Sequence, residues 1–265
     1  MEKFSKKHLK YFARLPFSYF SAFLYLDFIA YVFYRNNKPI LVWQDLYYPN
    51  DFPSIFIPKD KINWTNCSIA LATKKDVREI EKENIEIKFQ VPVTTEFFYS
   101  TDSFINPRGD FLRRIKQFKT NYAYSIKNSY PGDNVIKFYK FWKKQKERDG
   151  GVFIKESENY FYYCLKYLKK YSIKQIYVEV DDKLVGFAWG VTHPSGNWVG
   201  LHLKVDYQYK GLSRFLHYER AKLFKDKKLF TLGTDTHDSG IAQYKNELGP
   251  VAEKDYFYIL TGKKL

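Results

Sequence analysis

The sequence predicts an α/β (α+β) protein, two mixed β-sheets flanked by helices, and three observations carry that expectation. Between Ser18 and about Phe98, short β-branched or aromatic runs (FLYLDFIAYVFY, PILVW, SIFIP, CSIALA, IEIKFQV) are separated by Asn-Asn, Pro and Asp signals. From Asn106 onward the apolar spacing becomes that of amphipathic helices. Between Gln175 and Leu260, strand-like and helix-like runs alternate. The apolar content suffices for a core: 45% of the 265 residues are hydrophobic and 20% aromatic, including 24 Tyr and 24 Phe, which excludes a disordered chain.

In chain order, one helix interrupts the early strands at Lys74 to Glu83, KKDVREIEKE. Asn106 as N-cap and Pro107 at the first helical position open a helix whose Phe111, Ile115, Phe118 and Tyr122 share a face. Arg113, Arg114, Lys116 and Lys119 lie off that stripe as a basic ridge able to meet phosphates, or simply as a solvated face. A turn at Tyr130-Pro131-Gly132-Asp133 leads to a second helix, Asn134 to Arg148, and Gly150-Gly151 is the best candidate for a hinge or subdomain boundary. A third helix follows over Ser157 to Lys170, then a hairpin, QIYVEVDD and KLVGFAWGVT, closing through Asp181-Asp182-Lys183. Trp198 to Val205 reads as a strand. Leu212, Phe215, Leu216, Glu219 and Leu223 mark the helix behind Gly211, LFTLG is a short strand, and YFYIL is the last one.

Lys and Arg total 44 against 29 Asp and Glu, a net +15, which suits anionic partners: nucleic acid, phosphorylated donors or an acidic membrane surface. The lysines are spread along the whole chain, so a merely solvated surface is the other reading. Cys67 and Cys164 are the only cysteines and lack metal-ligand spacing, so neither a disulfide framework nor a metal site is expected. The segment Pro16 to Tyr34 carries Asp27 and several tyrosines and falls short of the roughly 20 apolar residues of a membrane span. The basic, Phe-rich start also lacks a signal-peptide cleavage pattern. A cytoplasmic protein is expected, with peripheral contact to anionic membrane left open.

The stretch from Gly196 to Lys245 concentrates the chemistry. Gln208-Tyr209-Lys210-Gly211-Leu212-Ser213 sits where a strand gives way to a helix. Free amides at a helix N-terminus favour a pyrophosphate, and glycine permits close backbone approach. Downstream, Asp235, His237 and Asp238 cluster in a loop after a strand, and Tyr244 and Lys245 follow on the next helix.

This order, with its Gln-x-x-Gly-x-Ser turn and the later Tyr-Lys-Asn-Glu-Leu-Gly at Tyr244 to Gly249, resembles the C-terminal half of the GNAT superfamily of N-acyltransferases. Ser213 stands where that pattern has a small residue, and Pro250 follows Gly249 where it has Phe. Tyr209-Lys210-Gly211-Leu212, Asp238-Ser239-Gly240-Ile241 with Lys245, and Phe98 to Asp102 with Gly109 and Arg113-Arg114 are similar to segments of the phosphatidylglycerol lysyltransferase catalytic domain, a tandem-GNAT, Fem-related family. Thr234, Thr236 and Ala242 depart from that family's pattern. The resemblance implies a tandem GNAT-like fold, residues 1–97 forming an N-terminal half and 98–265 a C-terminal half that carries the active site.

It further implies an acyl transferase. The turn from Gln208 to Ser213 would hold the donor, an acyl-coenzyme A or, alternatively, an aminoacyl-tRNA. Lys245 would stabilise an oxyanion or the donor phosphate, and Tyr244 would protonate a leaving thiolate. Independently of the resemblance, acyl transfer to an amine needs a proton acceptor and oxyanion donors. His237, as an imidazole able to accept a proton near neutral pH, suits the first role, with Asp235 beside it and Asp238 as an orienting group or a helix cap. His202, with Lys204 on the same strand face, and the Arg113-Arg114 ridge would line the substrate path. A non-catalytic GNAT-like module binding nucleic acid or anionic membrane is the reading from a different class. The acceptor and the oligomeric state are not written in any motif.

Overall fold

A computed structural model describes residues 2–3, 17–18, 30–35, 38–43, 54–56, 65, 68–150, 155–235 and 239–265. By contacts the chain divides into two units, 1–98 with 233–265, and Tyr99–Leu232. Its breaks fall at 98/99 and 232/233.

The first unit holds two sets of antiparallel strands. β1 (Glu2–Lys3), β2 (Ala30–Arg35), β3 (Lys38–Trp43) and β4 (Ser54–Phe56) pair in that order. β5 (Ser68–Thr73), β12 (Ala252–Lys264) and β6 (Ile85–Ser100) form the other set, with β12 in the middle. The long β6–β12 ladder runs from Ala252 opposite Phe98 to Lys264 opposite Ile85. Helix α1 (Lys74–Lys82) starts at Thr73, whose hydroxyl caps Asp76 while the Asp76 carboxylate returns to the Thr73 amide, a reciprocal capping box. Its Ile80 buries against Ile69, Ala72, Ile85 and Ile259.

The second unit is a mixed sheet between helices. Its order is β11 (Leu229–Thr234, whose last two residues lie past the break), β10 (Trp198–Val205), β9 (Lys183–Thr192), β8 (Lys174–Val180) and β7 (Tyr124–Lys127). All neighbours are antiparallel except β10 and β11, which are parallel and joined across helix α6 (Leu212–Lys222). The predicted hairpin is present: Asp181 and Asp182 close β8 onto β9 with φ of +49° and +59°, the left-handed pair that a two-residue turn requires.

Alternation along β8 and β9 sorts the two faces. Ile176, Val178, Val180, Val185 and Ala188 pack with Phe215 and Leu216 of α6 and with Ile115 and Phe118 of α3 (Gly109–Asn121). A buried side chain of this size contributes about 1.5–3 kcal/mol. On the other face, Tyr177, Phe187 and Trp189 meet α4 (Gly132–Arg148) and α5 (Lys155–Lys166) through a run of ring contacts, with Tyr139 stacked on Phe161 at 3.8 Å and Phe161 on Trp189 at 5.5 Å.

One cap expectation fails. Asn106 does not start a helix but ends the short α2 (Thr101–Ile105), where its side-chain amide donates to Asp102 at 2.7 Å; α3 begins only at Gly109, with Arg108 as its N-cap. The expected apolar face of α3 nevertheless packs through Ile115 and Phe118, with Phe111 and Tyr122 at its edge. The third helix is also shorter than expected, since turns replace it after Lys166.

Candidate functional site

Lys245 is the most informative of the sequence-predicted residues. It lies in helix α7 (Ser239–Glu247), its side chain only 7% exposed, in the first unit. Its Nζ donates to the carbonyl of Thr234 at the end of β11 and sits 6.0 Å from the Phe97 ring centroid. Burial pulls the amine down to about 7, and the carboxylates of Glu96 and Asp235 oppose that pull. A lysine in this state exchanges its proton near neutral pH, which an exposed lysine does not.

Strand β6 supplies the surroundings. Asp235 Oδ1 accepts from the Thr94 hydroxyl at 2.7 Å and from the Thr95 amide at 3.3 Å, and the Asp235 amide donates back to the Thr95 carbonyl at 3.2 Å. Glu96 is fully buried, and its Oε2 accepts from the Tyr256 hydroxyl at 2.6 Å. Burial and the adjacent Glu96 carboxylate hold the Tyr256 phenol well above its ordinary value, so it remains a donor. Lys245 and Asp235 are thus brought into one electrostatic cluster. Glu96, Tyr256 and Thr94 were not singled out in the sequence; the available signal was a lone carboxylate inside the aromatic run Thr-Glu-Phe-Phe-Tyr. His237 and Asp238 lie outside the described residues. Tyr244, on α7 beside Lys245, is partly buried.

The Gln208 to Ser213 turn lies in the second unit and is closed upon itself. The Gln208 backbone amide donates to Asp206 Oδ1 at 3.1 Å and its side-chain amide to Oδ2 at 2.8 Å. Tyr209 donates to the Asp206 carbonyl, Leu212 to that of Tyr209, and the Tyr209 ring meets Tyr122 edge-on at 5.0 Å. Gly211 caps α6 with φ +87°, and a Cβ there would meet the Arg114 carbonyl at 2.1 Å. The glycine is therefore required by backbone conformation and by α3 crossing over it. Leu212 is buried in the core, Ser213 is partly buried, and Lys210 is exposed.

Arg113 and Arg114 are on the exposed side of α3, but Asp110 of the preceding turn pairs with Arg113 and approaches Arg114 Nε at 3.5 Å. Both guanidiniums keep much of their surface. His202 is buried and faces the aromatic layer, 4.9 Å from Tyr160 and 5.5 Å from Trp189. Burial, with Lys204 and Arg220 nearby, keeps its imidazole neutral well below the ordinary pKa. No group of three His, Cys, Asp or Glu among the described residues is placed to hold a metal ion, and no helix among them is long and apolar enough to cross a membrane.

No protein-family model matches the chain, and no curated protein matches it in sequence. Solved structures do. A conserved protein of unknown function from Bacteroides thetaiotaomicron is similar at TM-score 0.74 and 14% identity, over 91% of this chain and 90% of that one. The C-terminal domain of a proposed lysylphosphatidylglycerol synthetase from Agrobacterium fabrum follows at TM-score 0.59 and 10% identity, over 96% and 90%. L-PGS from Bacillus licheniformis gives 0.55 and 10%, over 98% and 92%. FemX gives 0.55 and 10%, over 86% and 88%. At these identities the likeness is one of fold: the chain has the α/β, GNAT-like fold that its resemblance to the lysyltransferase and Fem group implied, related to that of the L-PGS catalytic domain.

Proposed function

We propose that this chain is an acyl or aminoacyl transferase that moves an acyl group from an activated donor to an amine or hydroxyl acceptor through a tetrahedral intermediate. The observation that carries the reading is Lys245: a buried amine near neutral pKa, set against Glu96 and Asp235, in a fold shared with L-PGS and FemX. A protonated acceptor amine is no nucleophile, and the Lys245 lone pair can take its proton. The ammonium so formed is held by the two carboxylates and has hydrogens to offer the developing oxyanion. Asp235, anchored by Thr94 and Thr95, then serves to keep that ammonium in place.

Two donors are compatible with the chemistry. Acyl-coenzyme A was favoured by the Gln208-x-x-Gly211 spacing, but Gln208 is engaged with Asp206, and Gly211 is explained by the Arg114 carbonyl packed upon it. An aminoacyl-tRNA donor draws its support from the net +15 and from the exposed guanidiniums of Arg113 and Arg114, and this second reading is now the better supported of the two. Anionic membrane remains a candidate acceptor surface on the same charge argument.

The test is ligand binding followed by transfer. A bulk aminoacyl-tRNA mixture should bind with an affinity that falls steeply between low and physiological salt, while coenzyme A should leave the melting temperature unchanged. A rise of several degrees with coenzyme A would restore that donor instead. If neither binds and Lys245→Met alters no measurable transfer, the transferase reading fails in favour of a binding module.

A further inference from the structure

The positive charge of this chain is unevenly placed. The unit Tyr99–Leu232 carries 26 Lys and Arg against 13 Asp and Glu, a net +13, while the other unit carries 18 against 16. The field that attracts anions therefore originates in the second unit. Within that unit, Lys204 of β10 places its Nζ 3.9 Å from the centroid of the Trp142 ring of α4. Lys146, one turn beyond Trp142 on the same helix, places its own Nζ 6.0 Å from that centroid. The indole is 7% exposed, and its π-face favours the ammonium form of both amines.

Two ammonium groups held by one ring repel each other, and the carboxylates of the neighbouring elements are engaged elsewhere. Glu158 of α5 pairs with Lys143 at 3.0 Å. Asp206, at the end of β10, accepts from the Gln208 backbone amide at 3.1 Å and from its side-chain amide at 2.8 Å. Asp149, past the end of α4, acts on the Tyr207 phenol. Among the described residues, no carboxylate pairs with Lys204 or Lys146. His202, two residues back on β10, is buried and neutral, so it supplies no counter-charge. Burial, with Lys146 adding to it, brings the Lys204 amine to about 7, the direction expected of an ammonium that lacks its counter-ion. Both lysines are partly exposed, so the pair is open to a solute.

We infer that Lys204 and Lys146, seated on the Trp142 ring, form a binding site for a phosphate group, carried by a small molecule or by a lipid headgroup. Two positive charges suit one dianion, and each ammonium has hydrogens to give to its oxygens. A bound phosphate removes the repulsion between the two lysines and supplies the counter-charge that the protein does not. Trp142 fixes where the ammonium groups sit, so the site is built before the anion arrives. Lys137, Lys140, Lys144 and Arg148 are exposed along α4, where they add to the attraction without belonging to the site.

The inference does not depend on the transferase reading, and its test needs no turnover. Sulfate, a dianion without a titrating proton in this range, is titrated calorimetrically into the protein at pH 8, in two buffers of different ionisation heat and with chloride at matched ionic strength as the control. Sulfate held by Lys204 should bring uptake of about one proton, because the site needs the ammonium, whereas exposed lysines are already protonated and take up none. Lys204→Met should abolish the uptake, Lys146→Met should weaken binding by about tenfold or more, and Lys140→Met should change neither. Glycerol phosphate and vesicles containing phosphatidic acid are then compared. Whichever shows the Lys204-dependent uptake identifies the source of the phosphate, and uptake with neither contradicts the assignment to a phosphate group. Absence of saturable sulfate binding, or binding without proton uptake that survives both Lys204→Met and Lys146→Met, an adventitious ion only, overturns the inference, whatever becomes of the transferase assay.

Discussion

Lys245 and Lys204 reach the same near-neutral value by burial, yet the charges around them have opposite sign. Lys245 is opposed by two carboxylates, Glu96 and Asp235, which stabilise its charged form when a proton arrives. Lys204 has the Trp142 ring 3.9 Å from its Nζ, a cation–π contact that favours the ammonium, and a second lysine, Lys146, that opposes it. The first arrangement suits a group that gives and takes protons; in the second the neighbouring charge opposes protonation. Desolvation sets how far a lysine departs from its ordinary pKa, and the neighbouring charge decides what that departure is good for.

The comparison breaks most visibly at Lys245 itself. Lys245→Met should lower transfer by about 100-fold or more, measured as kcat/KM, and Lys245→Arg should not rescue it, because a guanidinium does not deprotonate. The methionine variant loses the cation facing Glu96 and Asp235, which costs stability, so its denaturation midpoint is measured beside the activity to establish that it is folded.

Tyr256→Phe is next in size. It leaves Glu96 buried without its phenol donor, at a cost of about 1–3 kcal/mol in urea denaturation. With that donor gone, Glu96 turns to Lys245, so the acid limb of the pH–rate profile should move to higher pH.

Stability should rise with pH from about 7 towards the ordinary lysine value near 10.5. In that window the unfolded chain binds the Lys245 and Lys204 protons and the folded chain does not, so each adds about 1.4 kcal/mol of unfolding free energy per pH unit, and the gain is gone once pH has fallen to about 7. Lys245→Met should remove about half of this slope in denaturation series run across the window, the remainder belonging to Lys204. The smallest expected effect belongs to Asp235→Asn. It removes one charge that props up the Lys245 pKa, so the acid limb should move to lower pH.

How much of this was legible in the sequence follows from range. The helices α1, α3, α4 and α6 and the β8–β9 hairpin were readable because their signals are local periodicity and turn chemistry. Asn106 misled because its partner is Asp102, four residues back, which makes it the end of one helix rather than the start of the next. The apolar stripe of α6 was visible, but Arg214, His217 and Arg220 are buried as well. Arg220 lies under the sheet because Gly200, twenty residues away, leaves it room and the carbonyls of Trp189 and His202 accept from it. No period encodes such a pairing. The Gly211 turn is legible by its spacing, but that spacing does not show that the Arg114 carbonyl lies against Gly211. Lys245 and Asp235 were named from resemblance and loop position. Glu96 and Tyr256 came into view only with the β6–β12 register, which places Thr94 opposite Tyr256 and so brings its phenol to Glu96.

The most direct test of the central claim is a lysine side-chain NMR titration, using ε-13C-labelled protein in the Lys204→Arg background so that Lys245 is the one near-neutral lysine left among the described residues. One resonance should titrate with a midpoint of about 7 and disappear when Lys245→Met is added. If every lysine resonance instead titrates together near the ordinary value of about 10.4, Lys245 is a cation at neutral pH and the proposed proton-transfer role is wrong.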